Sequence, residues 1–317
     1  MVIMKPMLAQ IGKEPFDSDN HIFDWKWNGI RILGHIDGGS AHLQGRSGAD
    51  FTIQFPELAN LPDSIKAKRC IVDGEVVCLD ENGLPDFSRV QQRFGKQDPV
   101  AITKAAKEYP ATYMAFDVVQ VEDHDFTAGA PDQADQMQRK EILESILMPN
   151  NSIKLSSWVT TYGTELYAEA VRLNREGIMA KTKKGLYYPG GRTPDWVKLK
   201  VPKYGTFTVG GYTVGVGWRR SMMGAVVLGV PDLEHGGKLR WVGCAGTGFT
   251  QVVLESLYHT LRSIETEESP FITGTKVPKL SSWVEPIIQV EVKFYDVTKG
   301  GQLVWPVFQR ITADSGS

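Results

Sequence analysis

The lysine in Asp24-Trp25-Lys26-Trp27-Asn28-Gly29-Ile30-Arg31 stands between two tryptophans. Exclusion of water and nearby cations both favour a neutral amine, and a neutral, held amine is a nucleophile. Gly29 would let the backbone beside it approach a bulky ligand. Arg46-Ser47-Gly48 follows a predicted strand, where a guanidinium can fork onto a phosphate. Val72-Asp73-Gly74-Glu75-Val76-Val77 sets two carboxylates astride a glycine in an apolar strand, where acids need a metal, a hydroxyl or a cation. Tyr113-Met114-Ala115-Phe116-Asp117 offers a ring for base stacking and an acid for a ribose or metal. Glu176-Gly177-Ile178-Met179-Ala180-Lys181 and Asp195-Trp196-Val197-Lys198-Leu199-Lys200 follow. In a strand Lys198 and Lys200 share a face. Two converging ammoniums form a phosphate clamp and lower the pKa of a third lysine nearby. Each segment alone has a blander explanation: a snorkelling lysine, a turn salt bridge, an Asp-Gly hairpin tip, a core phenylalanine with a capping acid, an amphipathic edge strand.

The elements that must hold these groups are legible in outline. Residues 21–80 are β-rich, with a hairpin turn at Asp37-Gly38-Gly39 joining Arg31–Ile36 to Ala41–Leu43. Pro56–Asn60 suits a short helix, and Cys70–Leu79 a strand pair or bent strand before an Asn82-Gly83 turn. Tyr113–Val121 is an apolar strand. Asp135–Leu147 is helical, with apolar Ile142, Leu143, Ile146 and Leu147. Thr164–Arg175 is a second helix with Thr164 as its N-cap, followed by strands at Ile178–Lys181 and Trp196–Lys200. After Val201-Pro202 the texture turns to glycines and short β-prone runs. One amphipathic helix over Thr250–Ile264 and two or three strands within Ile287–Thr312, turning at Lys299-Gly300-Gly301, suit a small barrel. The expected division is 1–202 and 203–317.

The chain has 317 residues, 42% hydrophobic and 23% charged, within the ordinary globular range. No apolar run approaches the ~20 residues that span a bilayer, and the N-terminal Met-Val-Ile-Met-Lys-Pro is too short for a signal peptide. A cytoplasmic protein with no membrane partner is the expectation. Three cysteines without a CxxC pair, and six histidines without ligand spacing, argue against disulfides and structural zinc. There is no GxxxxGK[ST] for a P-loop. Net charge is -2, yet residues 181–203 carry seven cations against Asp195 alone. Such a run is usually a solvated face; here it coincides with two of the candidate segments.

In this order the six segments resemble the covalent nucleotidyltransferase superfamily: DNA ligases, RNA ligases and mRNA-capping enzymes. The family pattern is K-x-D-G-x-R, S-R-x-G, D-G-E, a strand ending F-D, E-G-x-x-x-K and K-x-K. Val209-Gly210-Gly211-Tyr212-Thr213, Gly224–Gly229, Val242–Thr250 and Pro286–Thr312 are similar to the oligonucleotide-binding domain of bacterial ATP-dependent DNA ligases. The resemblance implies an α+β fold, with a nucleotidyltransferase (adenylation) domain of antiparallel sheets and helices followed by a C-terminal OB-fold β-barrel. It implies ATP and Mg²⁺ (or Mn²⁺) as cofactors and nicked double-stranded DNA as partner. It also implies a monomer, nucleoid association, and room for a Ku-like end-binding protein. By resemblance Lys26 carries the AMP. Asp24, Arg31, Arg46, Glu75, Phe116, Lys198 and Lys200 hold the nucleotide, with Phe116 on the adenine. Asp73, Glu75 and Glu176 serve a metal. Lys181, Lys183, Arg192, Lys203, Arg219 and Arg220 bind DNA or phosphate.

Two departures stand out. Asn28 occupies the place of the family's acid in K-x-D-G, which would slow the nick-dependent steps if that acid positions ligand or metal. Thr312 and Ser315 replace the basic residues of the family's final R-x-D-K, leaving Arg310, or the Arg219-Arg220 pair, to orient pyrophosphate. The alternatives are an RNA-ligase or capping-type enzyme, and a catalytically weak nucleic-acid-binding relative.

Overall fold

The computed structural model describes residues 3–275, 277–278, 281–298 and 300–312. The chain divides into two compact units, Met1–Val201 and Pro202–Ser317. The first holds β1 (Leu8–Ile11), β2 (Ser18–Trp25), β3 (Ile30–Asp37), β4 (Ser40–Gly45), β5 (Arg69–Cys78), β6 (Ala111–Val121), β7 (His124–Asp125), β8 (Ile153–Leu155), β9 (Trp158–Thr161), β10 (Gly177–Thr182) and β11 (Arg192–Lys200). Its helices are α1 (Phe87–Gln91), α2 (Pro99–Glu108), α3 (Gln136–Ile146) and α4 (Gly163–Arg172). Two sheets result. One runs β1-β11-β10-β2-β9, and the other β4-β3-β5-β6-β7 with β8 beside β6.

The main core lies under the second sheet, where Ile32, Leu58, Leu61, Val72, Tyr113, Leu143 and Ile153 are buried together. A second cluster, Phe23, Ala170, Ile178, Ala180 and Leu199, packs α4 on the first sheet. Between them Met7, Phe116, Val119, Tyr187 and Trp196 form a third, drawn from both sheets. Of the candidate residues, Asp24, Arg31, Asp73, Glu75, Phe116, Lys181, Arg192, Lys198 and Lys200 lie on strands of these two sheets.

Two glycines show why the local chain is built as it is. A Cβ on Gly29 would meet the Val76 carbonyl oxygen at 2.1 Å. The close approach shown is to the neighbouring strand β5. Gly177 has φ 142, and a Cβ there would meet the Leu199 carbonyl oxygen at 2.1 Å. Only glycine is accommodated at that turn into β10. Register shifts between Ile71 and Val72, and between Asp73 and Gly74, interrupt the pairing of β5 with β6. The Cys70–Leu79 segment thus falls on one long strand, β5, that ends at Cys78 and pairs irregularly, rather than on a strand pair.

α3 begins with a capping box, in which Asp135 accepts from Gln138 and the Gln138 side chain returns to the Asp135 N–H. α4 differs from the expectation. Its N-cap position is Tyr162, and Thr164 lies inside the first turn with its N–H and hydroxyl both donating to Asp17. A carboxylate distant in sequence caps this helix end.

The second unit comprises β12 (Lys203–Val214), β13 (Met223–Pro231), β14 (Leu239–Ala245), β15 (Glu265–Thr266), β16 (Ser281–Val284), β17 (Gln289–Phe294), β18 (Asp296–Val297), β19 (Leu303–Val304), β20 (Val307–Thr312) and helix α5 (Gln251–Ser263). β12 is long enough to pair with β13, β16 and β17, which bends the antiparallel sheet around one core as an OB-fold does. α5 contributes Leu254, Leu257 and Leu261 to that core, with Thr250 as N-cap. No helix among the described residues is long and apolar enough to cross a membrane.

Candidate active site

One pocket of the first unit gathers most of the predicted residues. Asp24, Lys26, Arg31, Arg46, Glu75, Phe116, Lys181, Arg192 and Lys198 all line it, with Trp25, Trp27 and Trp196. Lys26 follows directly on β2 and its N–H donates to the Gly177 carbonyl at 3.0 Å. That bond ties the end of β2 to the start of β10. It brings Lys26 Nζ to 2.6 Å from Glu176 Oε1, and Lys200 Nζ reaches the same oxygen at 3.1 Å. Lys198 lies across from Met179 in the β10–β11 ladder, two residues from Lys200. Burial, and after it Lys26, Lys200 and Arg192, push the Lys198 pKa down. Glu75 is raised to about 7 by burial, which outweighs the attraction of Lys26 and Arg31.

The ring end of the pocket is tightly tied. Arg31 Nε and Nη2 donate to the two oxygens of Asp73 at 2.5 and 2.6 Å. Its guanidinium lies 4.7 Å from the Phe116 ring centre and 5.3 Å from that of Trp196. Tyr187 donates to Asp73 at 2.6 Å and accepts from the Met7 N–H at 3.2 Å. Against the penalty of burial, Asp73 holds the Arg31 pKa above its ordinary value.

The comparisons with known proteins bear on this geometry. Residues 6–200 match the ATP dependent DNA ligase domain family, and residues 219–315 match the ATP dependent DNA ligase C terminal region. The chain belongs to the ATP-dependent DNA ligases. It is 29% identical over 314 residues to the multifunctional non-homologous end joining protein LigD of Mycolicibacterium smegmatis, covering 98% of this chain and 38% of that protein. It is 29% identical over 306 residues to a DNA ligase of Methanothrix thermoacetophila, covering 93% and 52%. The chain thus spans between a third and about half the length of these relatives. A solved mycobacterial DNA ligase D complexed with ATP and MES is 26% identical, with 98% of this chain and 96% of that one covered, at a TM-score of 0.56. The fold is that of this ligase family: a nucleotidyltransferase unit followed by an OB-fold.

Several assignments change within this family frame. Asp73 is fully buried, with its oxygens taken by Arg31 and Tyr187, so it is not a free metal ligand. Asp117 is likewise closed: Arg139 donates to it at 2.9 and 3.2 Å and Gln136 at 3.1 Å. Asp24 is 1% exposed and holds Lys181 at 2.5 Å and Lys140 at 3.0 Å. Lys181, 1% exposed, is therefore no part of a solvated DNA-binding face. Burial lowers its pKa against the pull of Asp24. Phe116 stays at the pocket wall but is 9% exposed. Arg192 is exposed, donates to the Ala9 carbonyl and lines the pocket. Lys183 is half-buried at the end of β10.

Lys203, Arg219 and Arg220 belong to the second unit. Lys203 and Arg220 are exposed, while Arg219 donates to the Gly246 carbonyl at 2.9 Å. Arg310 pairs with Glu291 at 2.8 Å, and Asp314 and Ser315 of the altered final motif lie outside the described residues.

Sequence reasoning passed over Lys140, Arg139, Tyr187 and Arg175. A signal existed for two of them. The buried face of α3 runs Gln136, Arg139, Lys140, Leu143, Ile146, so the apolar stripe extended backward by helical spacing lands on charged residues that must be paired.

Proposed function

We propose that this chain seals nicks in duplex DNA through a Lys26–AMP intermediate. The observation that carries the reading is the meeting of Lys26, Glu176 and Lys200 at one carboxylate oxygen, with Lys198, Arg46 and Arg192 around the same pocket. A nucleophilic amine, a proton acceptor in contact with it, and an excess of cations suit attack on a polyphosphate. Lys26 Nζ bonds to the α-phosphorus of ATP, the α–β P–O bond breaks, and pyrophosphate leaves. Glu176 is placed to take the amine proton. The DNA 5′-phosphate then displaces Lys26, and the 3′-hydroxyl displaces AMP and closes the strand. Catalysis is mostly positioning and charge neutralisation.

Arg31 and Glu75 are the groups for the sugar and phosphate, and Phe116 and Trp196 border the place for the base. A divalent cation fits the donor set. Among the described residues no cluster of three or more acid, His or Cys groups could hold a metal. Mg²⁺ needs only one or two carboxylates when phosphates and water complete its shell. Glu75 and Glu176 are those carboxylates, and the ion would neutralise phosphate charge. Duplex DNA is the partner, gripped through its backbone because a nick has no fixed sequence. Lys203 and Arg220 are the exposed cations of the second unit for that grip.

The test is sealing of a singly nicked DNA duplex with ATP and Mg²⁺, run beside nicked RNA and beside GTP. The expected outcome is sealing of DNA with ATP. Sealing of RNA alone, or nucleotide transfer from GTP alone, would move the chain to the other branches of the superfamily.

A further inference from the structure

Arg175 precedes Glu176, and nothing in the reaction above uses it. It follows Asn174, whose φ of 51 lies in the left-handed region, and it precedes Gly177, whose φ is 142. Its backbone N–H donates to the Ala170 carbonyl at 2.8 Å, closing the end of α4. The turn is therefore held by backbone conformations that few side chains tolerate. From it the Arg175 guanidinium lies 4.4 Å from the Trp25 ring centre and 5.4 Å from that of Trp27. Its Nε is buried with no hydrogen-bond partner. A guanidinium that gives up a hydrogen bond to lie over two indoles is held by the rings themselves.

These two rings flank the nucleophile. Trp25 and Trp27 turn to Arg175, while Lys26 between them turns to Glu176. Two consecutive residues of the turn before β10 thus meet three consecutive residues at the end of β2. Trp27 has a second anchor, since its Nε1 donates to the Ser156 hydroxyl at 2.9 Å. We propose that Arg175 is a positioning residue that sets the Lys26 amine against Glu176 by holding both flanking tryptophans. The inference rests on the Lys26–AMP reading. It concerns the steps in which Lys26 is the attacking or leaving group.

The last step offers the control. When a nicked duplex already carries AMP on its 5′-phosphate, the 3′-hydroxyl attacks without any bond being made to Lys26. The experiment compares wild type, Arg175→Gln and Arg175→Lys in three readouts. These are single-turnover labelling of the protein by α-labelled ATP, sealing of the pre-adenylated nicked duplex without ATP, and thermal unfolding. Arg175→Gln is expected to slow labelling by about tenfold, the scale of one desolvated cation–π contact. Pre-adenylated sealing should stay within about twofold and the unfolding midpoint within a few degrees. Arg175→Lys, which keeps a cation over the rings, should recover most of the labelling rate. Equal loss in both reactions would make Arg175 a merely structural residue and overturn the inference, as would wild-type labelling by Arg175→Gln. Absence of labelling in wild type would instead sink the Lys26–AMP reading, and this inference with it.

Discussion

The pocket has two ends that use the same residue types in opposite ways. At the ring end the three aspartates are closed. Asp73 is taken by Arg31 and Tyr187, Asp117 by Arg139 and Gln136, and Asp24 by Lys140 and Lys181, all in nearly or fully buried pairs save the partly exposed Arg31. At the phosphate end the charges are partly open. Lys26 and Glu176 keep side-chain exposures of 18% and 15%, and one carboxylate oxygen faces two lysines. Closed pairs fix geometry, because a buried charge without its partner is too costly to tolerate movement. Open cations in excess of their anions are held ready for a ligand that brings negative charge. Residue type and partner count do not distinguish the two ends, since Asp24 and Glu176 each face two lysines; exposure does, the first group being buried and the second partly open.

That contrast can be broken at either end, and the largest effect should come from the closed one. Asp24→Ala leaves Lys140 and Lys181 buried without their paired anion, and should destabilise the protein by about 3–5 kcal/mol in urea unfolding. A loss under about 1 kcal/mol would show that the pairs are not closed in solution. At the open end the expected effects reverse in kind. Lys198→Ala should slow protein labelling by α-labelled ATP by about 10²-fold, while stability stays within about 0.5 kcal/mol.

Glu75 sharpens the comparison through pH. Its carboxyl is held at about 7 in the folded chain against an ordinary 4.5, so the folded state prefers it protonated. Its contribution to stability is full below about pH 4.5 and is lost as pH rises through 7. Glu75→Gln should therefore unfold like wild type at pH 4, and be more stable at pH 8 by on the order of 1–3 kcal/mol. Equal unfolding at both pH values would contradict this. The smallest change is at Asn28, where the motif resemblance implies an acid. Asn28→Asp should speed sealing of a nicked duplex by about tenfold, roughly one charge-assisted contact, with protein labelling by ATP little altered.

Much of the candidate site was readable because the proposed chemistry imposes residue types at fixed strand positions. Lys198 and Lys200 must alternate to share a face, and the ladder puts them beside Met179 and Gly177 as a two-residue period requires. Within the basic stretch 181–203, Lys181 is the residue whose burial the local charge hid. Lys181 is on an interior-facing position of β10, and local charge cannot show that Asp24 waits diagonally on the adjacent strand β2. β1 was not found, since four residues of mixed polarity owe their strand to the parallel pairing with β11. α2 carried a readable start in Asp98-Pro99, with the Asp98 side chain accepting from the Ala101 N–H. The cap of α4 was not legible at all, because Asp17 comes from far along the chain. The role of Glu75 depends on burial, which the alternation within Val72–Val77 could only hint at.

The central claim is that the amine of residue 26 takes AMP from ATP. Incubation of wild type and Lys26→Ala with α-labelled ATP and Mg²⁺, followed by peptide mapping, tests it directly. The account predicts an acid-labile AMP adduct on the wild-type peptide containing Lys26 and no adduct on the variant. An adduct mapping to another lysine, or equal labelling of the two proteins, would contradict it.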